Sequence, residues 1–182
     1  MTDKPIKVIL LGDSAVGKSK MMERFLREEY NPDNSSTFGV TIHRHATEVG
    51  DKDVMIEFWD TAGQPTFKEL HPSFYDRAWG CVLVFDITRK ETYTHLNEWY
   101  TELLQYRKGI PCCLVANKID VDPTVEGRSF NFATKHKLPL YYVSAASGKN
   151  ISQPFDDIVK RAYECLLNPP DDIIDDVLDL IQ

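Results

Sequence analysis

Cysteine is scarce in this chain of 182 residues, which contains only four. Cys81, Cys112, Cys113 and Cys165 all lie within apolar segments, and no two of them form a C-x-x-C pair. Disulfides persist mainly in oxidising compartments, and a free buried cysteine behaves as a small hydrophobic side chain. The cysteines therefore predict ordinary core packing in a cytoplasmic protein and argue against a disulfide framework.

Long apolar runs are also missing. The longest ones are the length of a strand, far short of the ~20 residues that a membrane-spanning helix requires. The first apolar segment, residues 6–11, is too short for a secretory signal and leads directly into a glycine-rich loop. The sequence therefore predicts neither a membrane span nor a leader peptide.

An excess of basic residues is absent as well, since 28 acidic residues stand against 21 basic ones. Five of the acidic residues lie in residues 169–182, so the rest of the chain holds 23 acidic against 21 basic residues. A nucleic-acid-binding surface needs clustered positive charge, and this pattern argues against one. Pro169-Pro170 marks the clearest boundary, which predicts a main domain at residues 1–168 and an acidic amphipathic C-terminal extension at residues 169–182.

The chain does contain a regular alternation of strand and helix patterns. Apolar runs typical of buried strands alternate with stretches in which apolar residues recur at helical spacing. This order predicts an α/β fold, a mostly parallel sheet with helices on both faces and ligands at the carboxyl ends of its strands. The predicted strands are residues 6–11, 41–49, 53–60, 81–87, 112–116 and 140–143, and the predicted helices include residues 21–26, 96–104, roughly 124–136 and 151–166.

A G-x-x-x-x-G-K-S motif occupies residues 12–19, after a predicted strand and before a predicted helix. This is the context of a phosphate-binding loop, in which successive main-chain N–H groups and the helix N-terminus face the phosphates. We expect Lys18 to reach the β- and γ-phosphates and the Ser19 hydroxyl to ligate Mg²⁺. The nucleotide-binding residues predicted in this segment are Asp13, Ser14, Ala15, Val16, Gly17, Lys18, Ser19 and Lys20.

The sequence Asp-Thr-Ala-Gly-Gln at residues 60–64 follows the next predicted strand. Asp60 can hold Mg²⁺ through water, the N–H of Gly63 can approach a γ-phosphate, and Gln64 can orient an attacking water. Taken alone the pattern is a weak signal. Its place one strand away from the phosphate loop makes it strong evidence for a site of nucleotide hydrolysis.

A third motif, Asn117-Lys118-Ile119-Asp120, follows the strand that ends at residue 116. The Asp120 carboxylate can accept hydrogen bonds from guanine N1–H and from its 2-amino group. Adenine offers neither donor there and would leave the carboxylate unpaired, which costs several kcal/mol in a buried site. We expect Asn117 to brace the loop and the Lys118 stem to pack on the ring. This motif predicts selection of guanine.

These three motifs, together with Ser144-Ala145-Ala146, resemble those of the Ras-like small GTPases, and the resemblance covers residues 4–167. Residues 36–40 and 59–64 are most similar to the Rab branch. The resemblance implies a P-loop NTPase G domain whose six-stranded sheet has one antiparallel edge strand. It also implies GTP or GDP as the ligand and Mg²⁺ as the cofactor.

The resemblance assigns roles to further residues. It implies that Thr37 binds Mg²⁺ through its hydroxyl and the γ-phosphate through its N–H. Tyr30 matches an aromatic that lies edge-on against guanine, although a helix-end aromatic covering the core would also fit. Ser144, Ala145 and Ala146 match the base loop, in which the Ala145 N–H donates to the guanine carbonyl. The implied catalytic residues are Gln64, Lys18 and Thr37, and the implied metal ligands are Ser19, Thr37 and Asp60.

Three departures from the Rab pattern lead to expectations of their own. Pro65 follows Gln64 and restricts its backbone to extended angles, so we expect slow intrinsic GTP hydrolysis. Ala146 replaces a lysine that is usual in the base loop, so we expect faster nucleotide release. The chain ends without the prenylated cysteines of most Rabs, so no lipid anchor is evident. Either the tail has been truncated or partners hold the protein in place.

The partners expected from the resemblance are effector proteins that bind the nucleotide-dependent switch regions, residues 30–41 and 61–76. An exchange factor and an activating protein are expected as well. Further stretches resemble a divergent Rab-like subfamily, which implies the intraflagellar transport B complex as effector and a location at the ciliary base, basal body and cilium. Two alternatives remain open: a nucleotide-stabilised binding module with negligible hydrolysis, and a membrane-trafficking Rab whose prenylated tail is truncated. The stretches that carry this resemblance are residues 12–20, 99–103, 129–133 and 138–146.

Overall fold

Six strands form one sheet within residues 4–27, 37–64 and 71–173, the parts of the chain that the computed structural model describes. The strands are β1 (Ile6–Leu11), β2 (Val40–Val49), β3 (Lys52–Thr61), β4 (Ala78–Asp86), β5 (Cys112–Asn117) and β6 (Leu140–Tyr142). The helices are α1 (Lys18–Arg27), α2 (His71–Tyr75), α3 (Lys90–Thr94), α4 (Leu96–Tyr106), α5 (Asn131–His136) and α6 (Ser152–Leu167).

The strand order across the sheet is β2-β3-β1-β4-β5-β6. β2 and β3 pair antiparallel, from Val40 opposite Thr61 to Val49 opposite Lys52, and the remaining pairs are parallel. β1 lies between β3 and β4 and is buried along its whole length, as a central parallel strand covered on both faces should be. The predicted mostly parallel sheet with one antiparallel edge strand is therefore confirmed.

Successive residues of β4 show that helices cover both faces of the sheet. Gly80 faces α6, where a Cβ atom would lie 3.1 Å from Ile158 and 3.2 Å from Ala162. The preceding residue, Trp79, points to the opposite face. There it meets the guanidinium of Arg107, just after α4, at 5.3 Å from the ring centroid. α4 and α6 therefore enclose the centre of the sheet between them.

The helix predicted over residues 124–136 is wrong as a single element. The chain instead forms a 3-10 helix at Pro123–Gly127 and then α5, with Arg128 extended between them. Asp122 begins the 3-10 helix, since its side chain accepts a hydrogen bond from the Thr124 N–H, and the extended backbone of Arg128 and Phe130 separates it from α5. The structure also adds two five-residue helices that the sequence pattern did not predict, α2 and α3.

The beginning of the C-terminal extension packs against the main domain. Pro170 lies close to Gly109, where a Cβ atom would come within 2.9 Å of the proline ring. A 3-10 turn at Asp171–Ile173 follows, and its Ile173 is buried. Residues 174–182, which carry the rest of the predicted amphipathic stripe, lie outside the described residues. The division at residue 168 stays a prediction.

None of the helices in the described parts of the chain has the length and apolar character needed to cross a membrane.

Candidate nucleotide-binding site

A cavity of about 440 Å³ opens at the carboxyl ends of β1, β3 and β5. This volume is within the usual range for small-molecule and cofactor sites. Five separate segments of the sequence contribute to its wall, and three of them stand at the ends of β1, β3 and β5, because the carboxyl ends of parallel strands meet at one edge of the sheet. The predicted site residues that line it are Ser14, Ala15, Gly17, Lys18, Ser19, Lys20, Thr37, Gly63, Gln64, Asn117, Lys118, Asp120, Ala145 and Ala146.

The phosphate-loop motif connects β1 directly to α1, as the sequence predicts. Gly12 has a φ of 145°, and a Cβ atom there would lie 2.2 Å from the Val84 carbonyl oxygen. Gly17 has a φ of 105°, and a Cβ atom there would lie 2.2 Å from Asn117 Nδ2. Both positions therefore require glycine, because the loop backbone passes so close to the ends of β4 and β5.

Lys18 is buried at the floor of the cavity. Its Nζ donates to the carbonyl oxygens of Gly12 at 2.7 Å and Asp13 at 2.8 Å. Burial lowers the pKa of Lys18 to about 8, although Asp60 and Asp13 act in the opposite direction. A phosphate anion beside this amine would stabilise its charged form. The position fits the predicted phosphate-binding role.

Three oxygen-bearing side chains meet next to Lys18. Ser19 Oγ donates to Asp60 Oδ2 at 2.5 Å and lies 2.8 Å from Thr37 Oγ1. Asp60 is buried, and within the described residues its Oδ1 has no hydrogen-bond partner. Burial raises the pKa of Asp60, while the Ser19 hydrogen bond and the charge of Lys18 lower it. Mg²⁺ prefers hard oxygen ligands, so an orphaned carboxylate oxygen beside two hydroxyls fits this cation.

Gly63 lies directly against the phosphate loop. A Cβ atom there would lie 2.3 to 2.4 Å from main-chain atoms of Gly12, Asp13 and Ser14. Only glycine can approach so closely, and the contact links the segment after β3 to the loop. Gln64 lines the cavity next to it. Residues 65–70 lie outside the described residues, so the expected effect of Pro65 on Gln64 stays a prediction.

Asn117 connects the loops on the guanine side of the cavity. Its Nδ2 donates to the Val16 carbonyl oxygen at 2.9 Å. Its Oδ1 accepts from the N–H of Lys118 at 2.8 Å and from the N–H of Ala145 at 3.2 Å. One buried amide thus ties the phosphate loop, its own loop and the base loop together, which matches the predicted bracing role. The predicted donation from the Ala145 N–H to guanine stays a prediction, since Asn117 also accepts from this group.

Asp120 is positioned by Ser144. The buried Ser144 hydroxyl donates to Asp120 Oδ1 at 2.5 Å, while Asp120 itself is exposed at the cavity wall. The hydroxyl also accepts from the Ser147 N–H at 3.0 Å, which fixes its orientation. A carboxylate held in this way presents acceptors to a donor pair such as guanine N1–H and its 2-amino group.

Three of the predicted nucleotide-binding residues that the structure describes do not line the cavity with their side chains. Asp13 points away, where it accepts from His95 Nδ1 at 2.6 Å and from Trp99 Nε1 at 2.9 Å. The Val16 side chain is in the core, and Ser144 acts through Asp120. Tyr30 lies outside the described residues. Nucleotide contacts from the main chain of Asp13 and Val16 stay predictions.

Several residues around the site were missed by sequence reasoning. Arg24 donates to the carbonyl oxygens of Ala145 at 3.2 Å and Ala146 at 2.8 Å, and so fixes the base loop from α1. Asp86, at the end of β4, and Arg89, at the start of α3, contact the phosphate-binding side. The one sequence signal for these residues was the position of Asp86, a charged residue at the end of an apolar strand. Thr61 and Ala62 also line the cavity.

Comparison with known proteins agrees with this geometry. Residues 7–164 match the model of the Ras family. The chain is 50% identical to Rab-like protein 2A of Homo sapiens over 169 residues, which cover 93% of this chain and 74% of that protein. It is 49% identical to Rab-like protein 2A of Pongo abelii over 176 residues, 97% of this chain and 76% of that protein.

A more distant relative is Ras-related protein Rab11A of Lotus japonicus. It is 35% identical over 167 residues, which cover 88% of this chain and 73% of that protein. The family match spans the phosphate loop, the metal-ligand set and the base loop alike. The chain therefore belongs to the Ras family of small GTPases and is close to Rab-like protein 2A.

Proposed function

We propose that this protein is a GTP/GDP switch with slow intrinsic hydrolysis that acts in intraflagellar transport. The observation that carries the switch is the single cavity in which a phosphate loop, a cluster of oxygen ligands and a guanine-selecting carboxylate converge. The approach of Gly63 to the phosphate loop adds a connection between the nucleotide and a segment that effectors recognise.

The residues of the chain divide the chemistry between them. Lys18 neutralises charge on the β- and γ-phosphates, and Asp120 holds the guanine so that the γ-phosphate has one position. Gln64 orients the attacking water, and the Gly63 N–H donates to the γ-phosphate. Ser19, Thr37 and Asp60 would hold Mg²⁺, which supplies electrostatic stabilisation of the transferring phosphoryl group when bound.

Slow hydrolysis follows from Pro65. A residue before proline is displaced towards extended backbone angles, which limits the poses that Gln64 can adopt. We expect a rate of roughly 10⁻⁴ s⁻¹ without an activating protein, as for unassisted Ras. Single-turnover hydrolysis at or above about 10⁻² s⁻¹ would contradict this.

The ciliary role is supported by the similarity to Rab-like protein 2A, which extends over most of the chain at about half identity. By that resemblance the effector is the intraflagellar transport B complex, bound in the GTP state at the ciliary base. The switch regions 30–41 and 61–76 supply the binding surface, and an exchange factor and an activating protein set the nucleotide state. The protein would work from the cytoplasm, basal body and cilium.

A nucleotide-controlled pulldown tests this function. Wild-type protein loaded with GTP or GDP is incubated with extract of ciliated cells, alongside the Gln64→Leu variant loaded with GTP. We expect intraflagellar transport B subunits with GTP only, and longer retention by Gln64→Leu because it cannot orient water. Equal capture in both nucleotide states would contradict the switch.

The outcomes separate the alternatives. If Gln64→Leu changes neither the lifetime of bound GTP nor partner capture, the protein is a nucleotide-stabilised binding module. If GTP-loaded protein captures vesicle-trafficking partners and no transport subunits, a membrane-trafficking Rab is favoured.

A further inference from the structure

We propose that Arg89 is a positioning residue for phosphate binding: it turns the Ser14–Ala15 segment of the phosphate loop so that its N–H groups face the cavity. The inference rests on the proposed nucleotide-binding function and adds a residue to it. Arg89 lies at the start of α3, 75 residues from Ser14 in sequence.

The Arg89 guanidinium makes two contacts at once. Its Nη2 donates to the Ser14 carbonyl oxygen at 2.7 Å, and its Nε lies 3.3 Å from Asp86 Oδ2. The planar guanidinium can hold two partners in a fixed relation, which a lysine ammonium cannot do as well. The Ser14 carbonyl is therefore held by a side chain that does not itself line the cavity.

A second cation does the same for the next peptide. Lys118 Nζ lies 2.6 Å from Asp86 Oδ2 and donates to the Ala15 carbonyl oxygen at 3.1 Å. Asp86 is buried, and its other oxygen accepts from the N–H and hydroxyl of Thr88. Although burial raises the pKa of Asp86, the hydrogen bonds from Lys118 and Thr88 lower it below its usual value. We name Asp86, Arg89 and Lys118 the loop-support cluster.

The loop needs this support because of the backbone conformation of Ala15. This residue has a φ of 61°, a left-handed conformation that a side chain with a Cβ atom disfavours. Successive N–H groups converge on an anion only if the loop keeps such alternating backbone angles. With the Ser14 and Ala15 carbonyls both hydrogen-bonded to cations, Ala15 is held at this angle and the amides of the loop stay directed towards the cavity.

Two other roles for Arg89 fit the geometry less well. The residues that line the cavity do not include Arg89, and its Nη2 is occupied by the Ser14 carbonyl, so it does not reach the reacting phosphate. Its contribution to the start of α3 is made by its main-chain carbonyl, which accepts from the N–H and hydroxyl of Thr92. A side-chain substitution leaves those bonds in place.

The test measures the dissociation rate of a fluorescent GDP analogue from the full-length protein. We expect Arg89→Ala to raise this rate about tenfold, which corresponds to about 1.4 kcal/mol. Arg89→Lys keeps the charge but loses the second contact, so we expect it to stay at least about threefold above the wild type. Lys90→Ala removes the exposed neighbouring cation and serves as the matched control, with no change expected.

The double variant Ala15→Gly/Arg89→Ala separates positioning from simple electrostatic attraction. Glycine adopts a positive φ without strain, so we expect Ala15→Gly to recover most of the loss caused by Arg89→Ala. Because Ala15 lines the cavity, Ala15→Gly alone is the reference for the double variant, and we expect Arg89→Ala to raise the release rate much less in the Ala15→Gly background than in the wild type. An equal loss with and without Ala15→Gly would overturn the proposal, as would full recovery by Arg89→Lys.

The same assay separates this inference from the proposed function. A wild-type protein that fails to bind the GDP analogue contradicts the proposed function itself. A wild-type protein that binds it, with Arg89→Ala releasing it at the same rate, contradicts only the role of Arg89. If Arg89→Ala does not fold, Arg89→Lys and the double variant carry the same comparison.

Discussion

The two ends of the cavity are held in place by different parts of the molecule. At the phosphate end, the loop of residues 12–19 is fixed by Asp86 at the end of β4 and by Arg89 at the start of α3. His95 and Trp99 also fix this loop, because both hydrogen-bond to Asp13. At the guanine end, Ser144–Ala146 is fixed from α1 through Arg24, and Asp120 is fixed by Ser144. Asn117 and Lys118 contact both ends.

Both ends nevertheless use the same physical device. A cationic side chain donates hydrogen bonds to main-chain carbonyl oxygens of the loop, and the N–H groups of the loop remain available as donors. Hydrogen bonds to charged groups are stronger than neutral ones, so few of them fix a loop that has little regular structure. The comparison teaches that Arg24 and Arg89 support the loops without lining the cavity, so these two supports can be removed without changing its wall.

The largest expected effect comes from breaking the guanine end at Asp120. Asp120→Asn replaces an acceptor carboxylate with an amide that also presents donors to guanine N1–H and the 2-amino group. We expect GDP affinity to fall roughly 100-fold, because the two guanine donors are left without their charged acceptor. Calorimetric titration with GDP and ADP measures both the loss and the selectivity.

The matched control for that variant is Asp122→Asn, at a half-exposed aspartate two residues further on that does not line the cavity. Unchanged discrimination between GDP and ADP in Asp120→Asn would show that the carboxylate does not read the base.

An intermediate effect is expected from removing the support of the base loop. Arg24→Ala removes the donors to the Ala145 and Ala146 carbonyl oxygens, so the loop becomes less ordered. We expect GDP release to accelerate about fivefold, the factor for about 1 kcal/mol of lost hydrogen bonding. Stopped-flow release with excess Mg²⁺ measures it, with exposed Arg27→Ala as the control on the same helix.

The Arg24→Ala measurement also tests the expectation that Ala146 speeds the release of the nucleotide. A wild-type rate no faster than that of a standard Rab, together with a clear effect of Arg24→Ala, would show that Arg24 compensates for the missing lysine.

The smallest effect concerns the phosphate end and pH. The hydrogen bond and charge of Asp13 raise the pKa of His95. The pair therefore stabilises the fold in full below the pKa of histidine in the unfolded chain, about 6.5, and this stabilisation is lost as the pH rises through the pKa of His95 in the folded protein. Because His95 is partly exposed, the contribution is at most about 1 kcal/mol. Urea unfolding of the wild type and His95→Gln from about pH 5.5 to 8.5 tests it.

The expected difference in unfolding free energy is largest at the acid end of that range and vanishes at the alkaline end. A difference of constant size across the range would show that His95 contributes through packing alone.

Much of the fold could be predicted from local patterns. The buried strands are continuous apolar runs, and β1, β5 and the stripe of α4 lie where periodicity predicts them. The failure at residues 124–136 has a local cause that periodicity cannot detect, because the backbone is extended at Arg128 and Phe130, between the 3-10 helix and α5. Helices as short as α2 and α3 contain too few turns to show a period.

Site residues divide in the same way. The lysine, hydroxyls and carboxylates that face the cavity are part of compact motifs, so their spacing in sequence reveals them. Arg24 and Arg89 stand in no motif, and their partners are main-chain carbonyls 121 and 75 residues away. A carbonyl is present at every residue, so nothing in the sequence marks which one an arginine will meet.

The amino-acid sequence by itself determined the six strands and the phosphate loop with Lys18 and Ser19, and it predicts the choice of guanine through Asp120. Each depends on a short run of residues whose chemistry and spacing act locally. Only the tertiary structure decided that Asp13 turns outward to His95 and Trp99 and that Arg89 holds Ser14. Those contacts exist because the parallel sheet brings the ends of distant strands together at one edge.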